Sequence, residues 1–347
     1  MGVHRDAMVT VVTGASGYIG SHVVANLLAR GATVRATVRD ASDPERVDHL
    51  RALTVAEGGS LEIVEMDLFD TNSVDVAIAG CTDLIHTAAS VIIRSREPQT
   101  KIVDPSIVGT RNVVAAVEKA GSVERFVHTS STAAIRPMDW EDGTTLTTDT
   151  WADDATLDAN PYGLAKVSAE RIVRDWHAGQ PEDARPRLVT IHPCMVFGPP
   201  MSPRHLRGSL ALLMAMIRRD VPLNLPMQVS IVDVRDVAEA HVRALTGGED
   251  EGRYLTVAGD MMMNEMAKAL KNAHPNRKWV TWTAPYWLSL IAAVFHPKID
   301  VSWARRHLKN KLYWDASPAE NELDMEWRGP LESILDTTPA IFENNWD

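Results

Sequence analysis

Cysteine, positive charge and long apolar runs are scarce in this sequence of 347 residues. Its two cysteines, Cys81 and Cys194, each lie in an apolar run, which excludes a disulfide scaffold and favours free thiols in a reducing compartment. The 35 Lys and Arg residues face 46 Asp and Glu residues, giving a net charge of −11. This balance argues against partners that need a broad basic surface, namely nucleic acid and anionic membranes. Any anion must therefore be bound at a local site.

Targeting and metal-binding patterns are also lacking. The first residues, Met1–Asp6, have no basic region, apolar core or cleavage site of a secretory signal. The most apolar late run, Tyr286–Phe295, is far shorter than the ~20 residues that a membrane-spanning helix needs. The 12 histidines form no H-x-x-x-H pattern and no Cys/His cluster. We therefore predict a cytoplasmic protein with no metal and no membrane partner.

The sequence does contain a regular alternation of short apolar runs with longer helical patterns. Strands are predicted at Met8–Thr13, Thr33–Val38, Leu61–Met66, Asp83–Thr87, Arg125–Ser130 and Leu188–His192, and helices at Tyr18–Arg30, Ser73–Ala79, Pro105–Ala120 and Pro161–His177. This alternation is typical of βαβ units, whose parallel strands are covered on both faces. We therefore predict an α/β fold built on a doubly wound parallel sheet of the Rossmann type.

A glycine-rich turn, Thr13–Gly20, joins the first predicted strand to the first helix. Glycine allows a tight turn and a close approach of the backbone to phosphate, and the helix N-terminus offers free N–H groups and a positive dipole. The G-x-x-G-x-x-G spacing differs from the common dinucleotide pattern, and the Gly-Lys-Ser/Thr of a P-loop is missing. We predict that this turn binds the pyrophosphate of a dinucleotide. Its cofactor contacts would be Gly14, Ser16, Gly17, Tyr18, Ile19 and Gly20.

The end of the second predicted strand bears on the choice between NAD and NADP. An acid there favours the free ribose 2′-hydroxyl of NAD, and an arginine favours the 2′-phosphate of NADP. Here Arg39 and Asp40 are adjacent, and Arg46 can supply a second guanidinium, which suits a phosphate. NADP is therefore predicted, with NAD as the alternative. A third interpretation is a solvated loop in which Arg39 and Asp40 pair with each other.

A tyrosine and a lysine lie four residues apart on a predicted helix and so share one face of it. An ammonium at Lys166 would lower the pKa of Tyr162 from about 10, making the phenol usable in proton transfer. Such a pair is common on ordinary helices, but a run of hydroxyls, Thr129–Thr132, lies at the end of a predicted parallel strand. Open α/β sheets bind ligands at this edge, so these hydroxyls could bond a substrate carbonyl.

Together these motifs resemble the extended short-chain dehydrogenase/reductases. T-G-A-S-G-Y-I-G, H-T-A-A, T-S-S and Y-x-x-x-K occur in that order, and His192–Pro199 and Val232–Ala238 match two later motifs of the family. Within the family, Ala36–Asp40 and Pro285–Trp327 are most similar to the dihydroflavonol-reductase-like aldehyde and ketone reductases. Two positions depart from the family pattern, since His192 replaces an arginine and Ser106 replaces an asparagine.

The resemblance implies a set of site residues. The catalytic residues would be Ser131, Tyr162 and Lys166. Besides the glycine turn, the cofactor contacts would be Arg39, Arg46, Asp67, Leu68, Thr87, Ala88, Ala89, Thr129, Ser130, Tyr162, Lys166, Pro193 and Val196. The substrate contacts would be Ser90, Ser131, Thr132 and Tyr162.

Beyond Pro199 the alternation of strands and helices loosens. We predict that residues 1–199 form an NADP-binding Rossmann domain, to which residues 229–258 return. Residues 200–347 would form mainly a smaller, partly helical substrate-binding lobe. Its tryptophans either wall an apolar substrate pocket or fill a core; they are Trp279, Trp282, Trp287 and Trp303.

The sequence thus predicts an NADPH-dependent oxidoreductase that transfers a hydride between nicotinamide and an aldehyde, ketone or secondary alcohol. Its partner would be a small, fairly apolar substrate, and the chain would be a monomer or homodimer. One alternative is an NAD-dependent 3β-hydroxysteroid dehydrogenase or a nucleotide-sugar epimerase or dehydratase. A non-enzymatic NADP(H) sensor is the second alternative. The scattered basic residues of the late lobe bear on the nucleotide-sugar alternative; they are Arg204, Arg207, Arg218 and Arg219.

Overall fold

The computed structural model describes residues 8–89, 95–220, 223–295, 301–308 and 310–347. The strands are β1 (Val9–Thr13), β2 (Thr33–Val38), β3 (Ser60–Glu65), β4 (Asp83–His86), β5 (Arg125–Thr129), β6 (Thr144–Leu146), β7 (Arg187–Pro193), β8 (Met195–Phe197), β9 (Gln228–Asp233), β10 (Gly252–Thr256), β11 (Gly259–Met262) and β12 (Leu312–Trp314). The helices are α1 (Tyr18–Ala29), α2 (Pro44–Arg51), α3 (Thr71–Ile78), α4 (Asp104–Ala120), α5 (Pro161–Gly179), α6 (Leu210–Arg218), α7 (Val234–Arg243), α8 (Met263–Ala273), α9 (Tyr286–Phe295), α10 (Val301–His307), α11 (Ser317–Glu322) and α12 (Pro330–Glu343).

Seven strands form one parallel sheet in the order β3-β2-β1-β4-β5-β7-β10. The chain winds outward from β1 to β3, returns to place β4 on the other side of β1, and winds outward again. The doubly wound parallel sheet predicted from the sequence is therefore confirmed. Its winding reverses between β1 and β4, and the crevice at the carboxyl ends of these two strands is the expected ligand site of such a sheet.

Helices cover both faces of the large sheet, which is why β1, β4, β5 and β7 are buried along nearly their whole length, whereas β3 at the edge has alternating exposed residues. On one face α1, α2 and α7 pack against the strands, with Leu28 and Val47 fully buried. On the other face α3, α4 and α5 pack around Phe126, Val113 and Val173. These two layers hold the carboxyl ends of the strands in fixed positions, and the site is built there.

Helix α2 is absent from the sequence prediction because most of its eight residues are polar or charged, and it buries only Val47 and Leu50. Its start is fixed by Asp43, whose side chain accepts a hydrogen bond from the Glu45 N–H at 3.1 Å, and by Pro44 in the first turn. An aspartate cap followed by proline is a readable start signal. This short helix follows β2 and places two charged residues, Glu45 and Arg46, near the end of that strand.

The later part of the chain adds a three-stranded sheet in the order β11-β9-β8. Helices α6, α8 and α12 pack with this sheet around a core that includes Phe197, Leu213, Ile231 and Met266. Residues 229–258 contribute to both sheets, because β9 lies in the small one while β10 pairs with β7 in the large one. The domain boundaries at residue 199 remain a prediction. Within the described ranges, no helix has the length and apolar character to cross a bilayer.

Phe126 tests the contribution of the large-sheet core. Its ring is fully buried in β5 between His86 and Trp176. Phe126→Ala should lower the free energy of unfolding by about 3–5 kcal/mol, because it removes a large buried ring and leaves a cavity. Phe69, with 59% of its surface exposed, is the matched control, and Phe69→Ala should change stability by less than ~0.5 kcal/mol. Urea unfolding followed by circular dichroism measures both; similar shifts for the two variants would contradict this account of the core.

Candidate active site

The glycine turn between β1 and α1 has no room for a side chain at Gly14 or Gly20. Gly14 has a φ of 68°, and a Cβ on it would lie 2.8 Å from the Cα of Ala88. A Cβ on Gly20 would lie 2.4 Å from the Gly14 carbonyl oxygen. Helix α1 starts at Gly17 with no side-chain cap and no acid in its first turn. The open helix N-terminus and bare backbone therefore fit a pyrophosphate, as the sequence predicts.

The segment after β4 closes the other side of this turn. The Thr87 hydroxyl donates to the Thr13 carbonyl oxygen at 2.7 Å, and the Ala88 N–H donates to the Thr13 hydroxyl oxygen at 3.2 Å. Thr87, Ala88 and the exposed Ala89 therefore follow the strand end beside the glycine turn. Ser90, predicted to contact substrate, lies outside the described residues.

Arg39 and Asp40 do not pair with each other in the described structure, although Arg39, directly after β2, is exposed as the solvated-loop alternative requires. Asp40 accepts hydrogen bonds from the Ser42 N–H at 2.9 Å and the Ser42 hydroxyl at 2.7 Å, and these bonds lower the pKa of its carboxyl. Arg39 is exposed and, within the described part of the chain, its side chain makes no hydrogen bond or ion pair. Arg46 bonds Asp43 through its Nε at 3.0 Å. Near the predicted 2′-phosphate position, the Arg39 guanidinium therefore has no partner among the described residues. The Arg46 guanidinium has one carboxylate partner there, Asp43.

Asp67 and Leu68 follow the end of β3, further along the same edge of the sheet. Asp67 is exposed, and its carboxylate accepts the Phe69 N–H at 2.9 Å. Leu68 lies against Gly109 of α4, where an added Cβ would come within 3.0 Å of the Leu68 Cδ1. These contacts fix the turn beside the predicted adenine position.

Ser131, Tyr162 and Lys166 are brought together by β5 and α5. Ser131 follows β5 and caps a short 3-10 turn, Thr132–Ala134, by accepting the Ala133 N–H at 3.1 Å. Asn160 caps α5 by accepting the Gly163 N–H at 3.0 Å, which places Tyr162 in the first turn. Ser131 lies close enough to Tyr162 for its hydroxyl to lower the pKa of the phenol. The buried Lys166 amino group donates to the Thr129 carbonyl oxygen at 3.2 Å.

The electrostatics of this group differ from the sequence prediction. Burial raises the pKa of Tyr162, and the neighbouring Ser131 hydroxyl opposes this rise. The predicted lowering of this pKa is not found in the described structure, because desolvation is the largest influence on the phenol and the Lys166 ammonium bonds the Thr129 carbonyl oxygen. Burial also lowers the pKa of Lys166 to about 8, against the attraction of Glu170. The phenol is consequently protonated at neutral pH, which suits a proton donor.

The remaining predicted contacts surround these residues. Thr129 is buried, and its hydroxyl lies 2.7 Å from His241 Nε2. The hydroxyls of Ser131 and Thr132 are 3.5 and 3.3 Å from the Pro193 carbonyl oxygen, and the Val196 N–H donates to Ser209 at 3.1 Å. The contacts of Ser131 and Thr132 with Pro193 thereby connect the carboxyl ends of β5 and β7 next to Tyr162.

A buried carboxylate behind the site is missing from the sequence prediction. Glu170 is wholly buried, and its oxygens accept hydrogen bonds from Ser130 at 2.6 Å, Arg253 at 2.7 Å and Arg174 at 3.2 Å, with His192 Nε2 at 2.8 Å. Burial opposes its charge, but His192 and Arg253 lower the pKa of Glu170 well below its usual range. The Ser130 hydroxyl is thus engaged away from the predicted cofactor. In the sequence, only the spacing of four residues from Lys166 indicates that Glu170 lies on the same helix face as the predicted site.

The two departures from the family pattern are both accommodated. His192 takes the place of an arginine beside Glu170, and Arg253 of β10 provides a guanidinium to the same carboxylate. Ser106 of α4 donates to the Ile102 carbonyl oxygen at 3.1 Å, in the turn that precedes this helix. Neither residue contacts Ser131 or Tyr162 among the described hydrogen bonds.

The late tryptophans do not share one role. Trp279 is half-buried on the core of the small sheet, and its indole N–H donates to the His274 carbonyl oxygen at 3.0 Å. Trp282 and Trp287 are 56% and 62% exposed, so they do not fill a core. The side chain of Trp303 lies outside the described part of the structure. The core alternative is therefore wrong for Trp282 and Trp287.

Comparison with known families agrees with this geometry. The model of the NAD-dependent epimerase/dehydratase family matches residues 10–258, more than half of the chain. The chain belongs to this family. Its members depend on a nicotinamide dinucleotide, so the predicted class of cofactor is confirmed at the level of the family, and the predicted resemblance to extended short-chain dehydrogenase/reductases is confirmed with it.

Curated relatives confirm the dihydroflavonol-reductase-like character of this family member. The chain is 34% identical over 275 residues to cinnamoyl-CoA reductase CAD2 of Medicago truncatula, covering 77% of this chain and 81% of the relative. It is 31% identical over 277 residues to a dihydroflavonol 4-reductase of Hordeum vulgare, covering 76% and 75%. It is also 33% identical over 282 residues to an anthocyanidin reductase of Vitis vinifera, covering 77% and 81%.

Solved structures share the whole fold. Yeast methylglyoxal/isovaleraldehyde reductase Gre2, complexed with NADPH, has a TM-score of 0.78 at 22% identity, covering 97% of this chain and 99% of Gre2. Vestitone reductase from alfalfa has a TM-score of 0.72 at 21% identity, covering 98% and 99%. At these identities the similarity shows the fold alone, and it covers nearly the whole chain.

Gly20 provides a test of the phosphate turn in this family member. Gly20→Ala should weaken NADPH binding at least about tenfold, because the added methyl must displace the Gly14 carbonyl that shapes the turn. Gly179→Ala is the matched control, since nothing lies within 4 Å of a Cβ at this position, and its affinity should stay within about twofold. Isothermal titration of both variants measures the effect. Equal affinities would show that the dinucleotide binds elsewhere.

Proposed function

We propose that this chain is an NADPH-dependent reductase of aldehydes and ketones, with Ser131, Tyr162 and Lys166 as its catalytic residues. The observation that carries the proposal is the convergence of Ser131, Tyr162 and Lys166 at the carboxyl end of β5, where Ser131 reaches the Pro193 carbonyl oxygen and Lys166 bonds the Thr129 carbonyl oxygen. Family membership supports it, as do curated relatives that are named as reductases.

Each of the three residues has a separate role in the reduction of the substrate carbonyl. NADPH, when bound, supplies the hydride to the carbonyl carbon. The Ser131 hydroxyl holds the carbonyl oxygen, and the Tyr162 phenol donates its proton to that oxygen as negative charge develops there. Because burial raises the pKa of Tyr162, the phenol holds its proton at neutral pH. This protonation state favours the reduction direction, since oxidation would need Tyr162 to accept a proton.

Lys166 is proposed to orient the nicotinamide ribose and to stabilise the charge left on Tyr162 after proton transfer. It comes from the second turn of α5, directly below Tyr162, and its bond to the Thr129 carbonyl oxygen fixes its amino group at the end of β5. With a pKa of about 8, it is mostly charged near neutrality. The ammonium thus offers a positive charge beside the phenol without having to be recruited during the reaction.

NADP is the proposed cofactor because Arg39 follows the end of β2 without a partner among the described residues, and Arg46 lies nearby on α2 with one carboxylate partner. The structure of yeast Gre2 with NADPH supports this choice by analogy of fold. A small, fairly apolar carbonyl compound is the proposed substrate. The names of the relatives, which include cinnamoyl-CoA and dihydroflavonol reductases, support an aromatic carbonyl as the first class to assay.

Two of the four arginines considered for a nucleotide-sugar substrate bond groups of this chain. Arg204 pairs with Asp43 and Glu45 next to α2, and Arg218 donates to the Trp346 carbonyl oxygen at 3.4 Å. A carbonyl reductase is therefore favoured over an epimerase or dehydratase.

Tyr162→Phe tests the proton donor. The variant should bind NADPH with unchanged affinity while kcat for an aromatic aldehyde falls by about 10²–10⁴, because the phenyl ring keeps the shape but has no proton to give. Stopped-flow and steady-state measurements of NADPH oxidation give the two quantities. Activity equal to that of the unmodified protein would remove Tyr162 from the mechanism.

The pKa of Lys166 predicts a pH dependence. Because burial lowers this pKa to about 8, the ammonium loses its proton as the pH rises through about 8 instead of near 10.5. The value of kcat/KM for NADPH, which reports the free enzyme, should therefore fall above about pH 8 with the slope of one proton. Lys166→Arg keeps its charge at all these pH values and should abolish that slope. A slope that persists in the variant would assign the ionisation to another group.

A further inference from the structure

We propose that Arg204 is a further specificity residue, which binds the adenosine 2′-phosphate together with Arg39 and Arg46. This inference rests on the proposed NADP cofactor, and it brings a residue from beyond β8 into the choice of dinucleotide. The first member of this set, Arg39, is exposed and unpaired among the described residues, and the second, Arg46, lies on α2.

Arg204 lies in a short 3-10 turn, Pro203–His205, that folds back onto the start of α2. Its Nη2 donates to Asp43 Oδ2 at 3.0 Å, and its Nε donates to Glu45 Oε2 at 3.1 Å. Some 160 residues of chain separate these partners. The guanidinium is therefore held at the end of β2 by the tertiary fold.

Arg46 and Arg204 share one carboxylate oxygen. The Arg46 Nε also donates to Asp43 Oδ2 at 3.0 Å, so the two guanidiniums lie side by side on the same atom. The other oxygen of Asp43 accepts the Glu45 N–H and caps α2. Asp43 thus fixes the position of both cations while being fixed itself by the helix.

The turn that carries Arg204 also borders the phosphate-binding turn. His205 Nε2 is 3.3 Å from the Ser16 carbonyl oxygen, and the Ser202 hydroxyl is 3.4 Å from the Glu45 carbonyl oxygen. The Arg204 turn therefore spans the gap between the predicted pyrophosphate site and α2. The adenosine ribose of a bound dinucleotide lies between those two features in a Rossmann sheet.

The charges around Arg204 permit an exchange of partners. A 2′-phosphate carries about −1.5 to −2 charges and three acceptor oxygens, so it offers two guanidiniums more bonds than a single carboxylate oxygen does. Glu45 is 67% exposed, which screens its attraction for Arg204. Asp40, the remaining acid of this loop, has Ser42 as its hydrogen-bond partner. A phosphate can therefore replace Asp43 and Glu45 as the acceptor for Arg204.

The competing explanation is that Arg204 only clamps the later part of the chain to α2. A clamp would hold the shape of the whole site, so its loss would weaken every adenine nucleotide alike. Direct recognition of the phosphate would weaken only ligands that carry it. Adenosine 2′,5′-bisphosphate and adenosine 5′-monophosphate, which differ in that phosphate alone, separate the two explanations.

The experiment is isothermal titration of the full chain with these two nucleotides. We expect the unmodified protein to bind the bisphosphate more tightly, and Arg204→Gln to weaken the bisphosphate by about 10-fold or more, as for loss of a charged hydrogen bond. The monophosphate should stay within about twofold. Arg207→Gln, an exposed arginine three residues on, is the matched control and should change neither affinity. Equal weakening of both nucleotides by Arg204→Gln, or no effect on either, overturns the proposal.

A second variant distinguishes the ion pairing of Arg204 with α2 from its proposed contact with the 2′-phosphate. Glu45→Gln removes one ion pair of Arg204 and keeps its guanidinium, so affinity for the bisphosphate should be unchanged or higher. A loss as large as that of Arg204→Gln would make the ion pair the cause and overturn the proposal. If the unmodified protein shows no preference for the bisphosphate, the NADP assignment itself fails. If the preference is present and Arg204→Gln leaves it intact, only the role of Arg204 fails.

Discussion

The geometry of the site depends on one ionised carboxylate that water cannot reach. Glu170 carries a charge in the interior, and such a charge is tolerated only when hydrogen bonds and opposite charges surround it. Its partners come from the segment after β5, from β7, from β10 and from α5 itself. Because all of them must converge on the same two oxygens, the strands and the helix have little freedom to slide. Tyr162 and Lys166 lie on that same helix, so their position at the strand ends follows from this network.

The two ends of the site are held by different kinds of interaction. At the phosphate end, bare backbone and an uncapped helix form the surface, and a single added methyl on Gly20 would disturb it. At the chemical end, buried side chains set the pKa values, and burial is the largest cause for both Tyr162 and Lys166. The shape of the predicted phosphate end depends on local chain geometry, whereas the pKa values at the chemical end depend on how helices cover the whole sheet. The two ends therefore respond to different substitutions.

This difference explains how far the sequence could predict the structure. The alternation of strands and helices, the glycine turn and the spacing of Tyr162 and Lys166 are local patterns, and the described structure has all of them in the expected places. The ion pairs of Glu170 with Arg253 and of Arg204 with Asp43 connect residues that are far apart in the chain. No local sequence pattern predicts such pairs. The direction of the Tyr162 pKa shift differs from the sequence prediction for a related reason. Spacing on a helix gives proximity, but the depth of burial, which decides the pKa, depends on elements elsewhere.

The order in which the strands enter the two sheets has a consequence for synthesis of the protein. β10 completes the large sheet only after β8 and β9 of the small sheet have been made. A nascent chain that ends before residue 252 would present β7 as an open edge, with unpaired N–H and C=O groups. It would also lack Arg253, the guanidinium that neutralises Glu170 from β10. The large sheet therefore cannot close on the ribosome ahead of β8 and β9, and about three-quarters of the chain must emerge before it is complete.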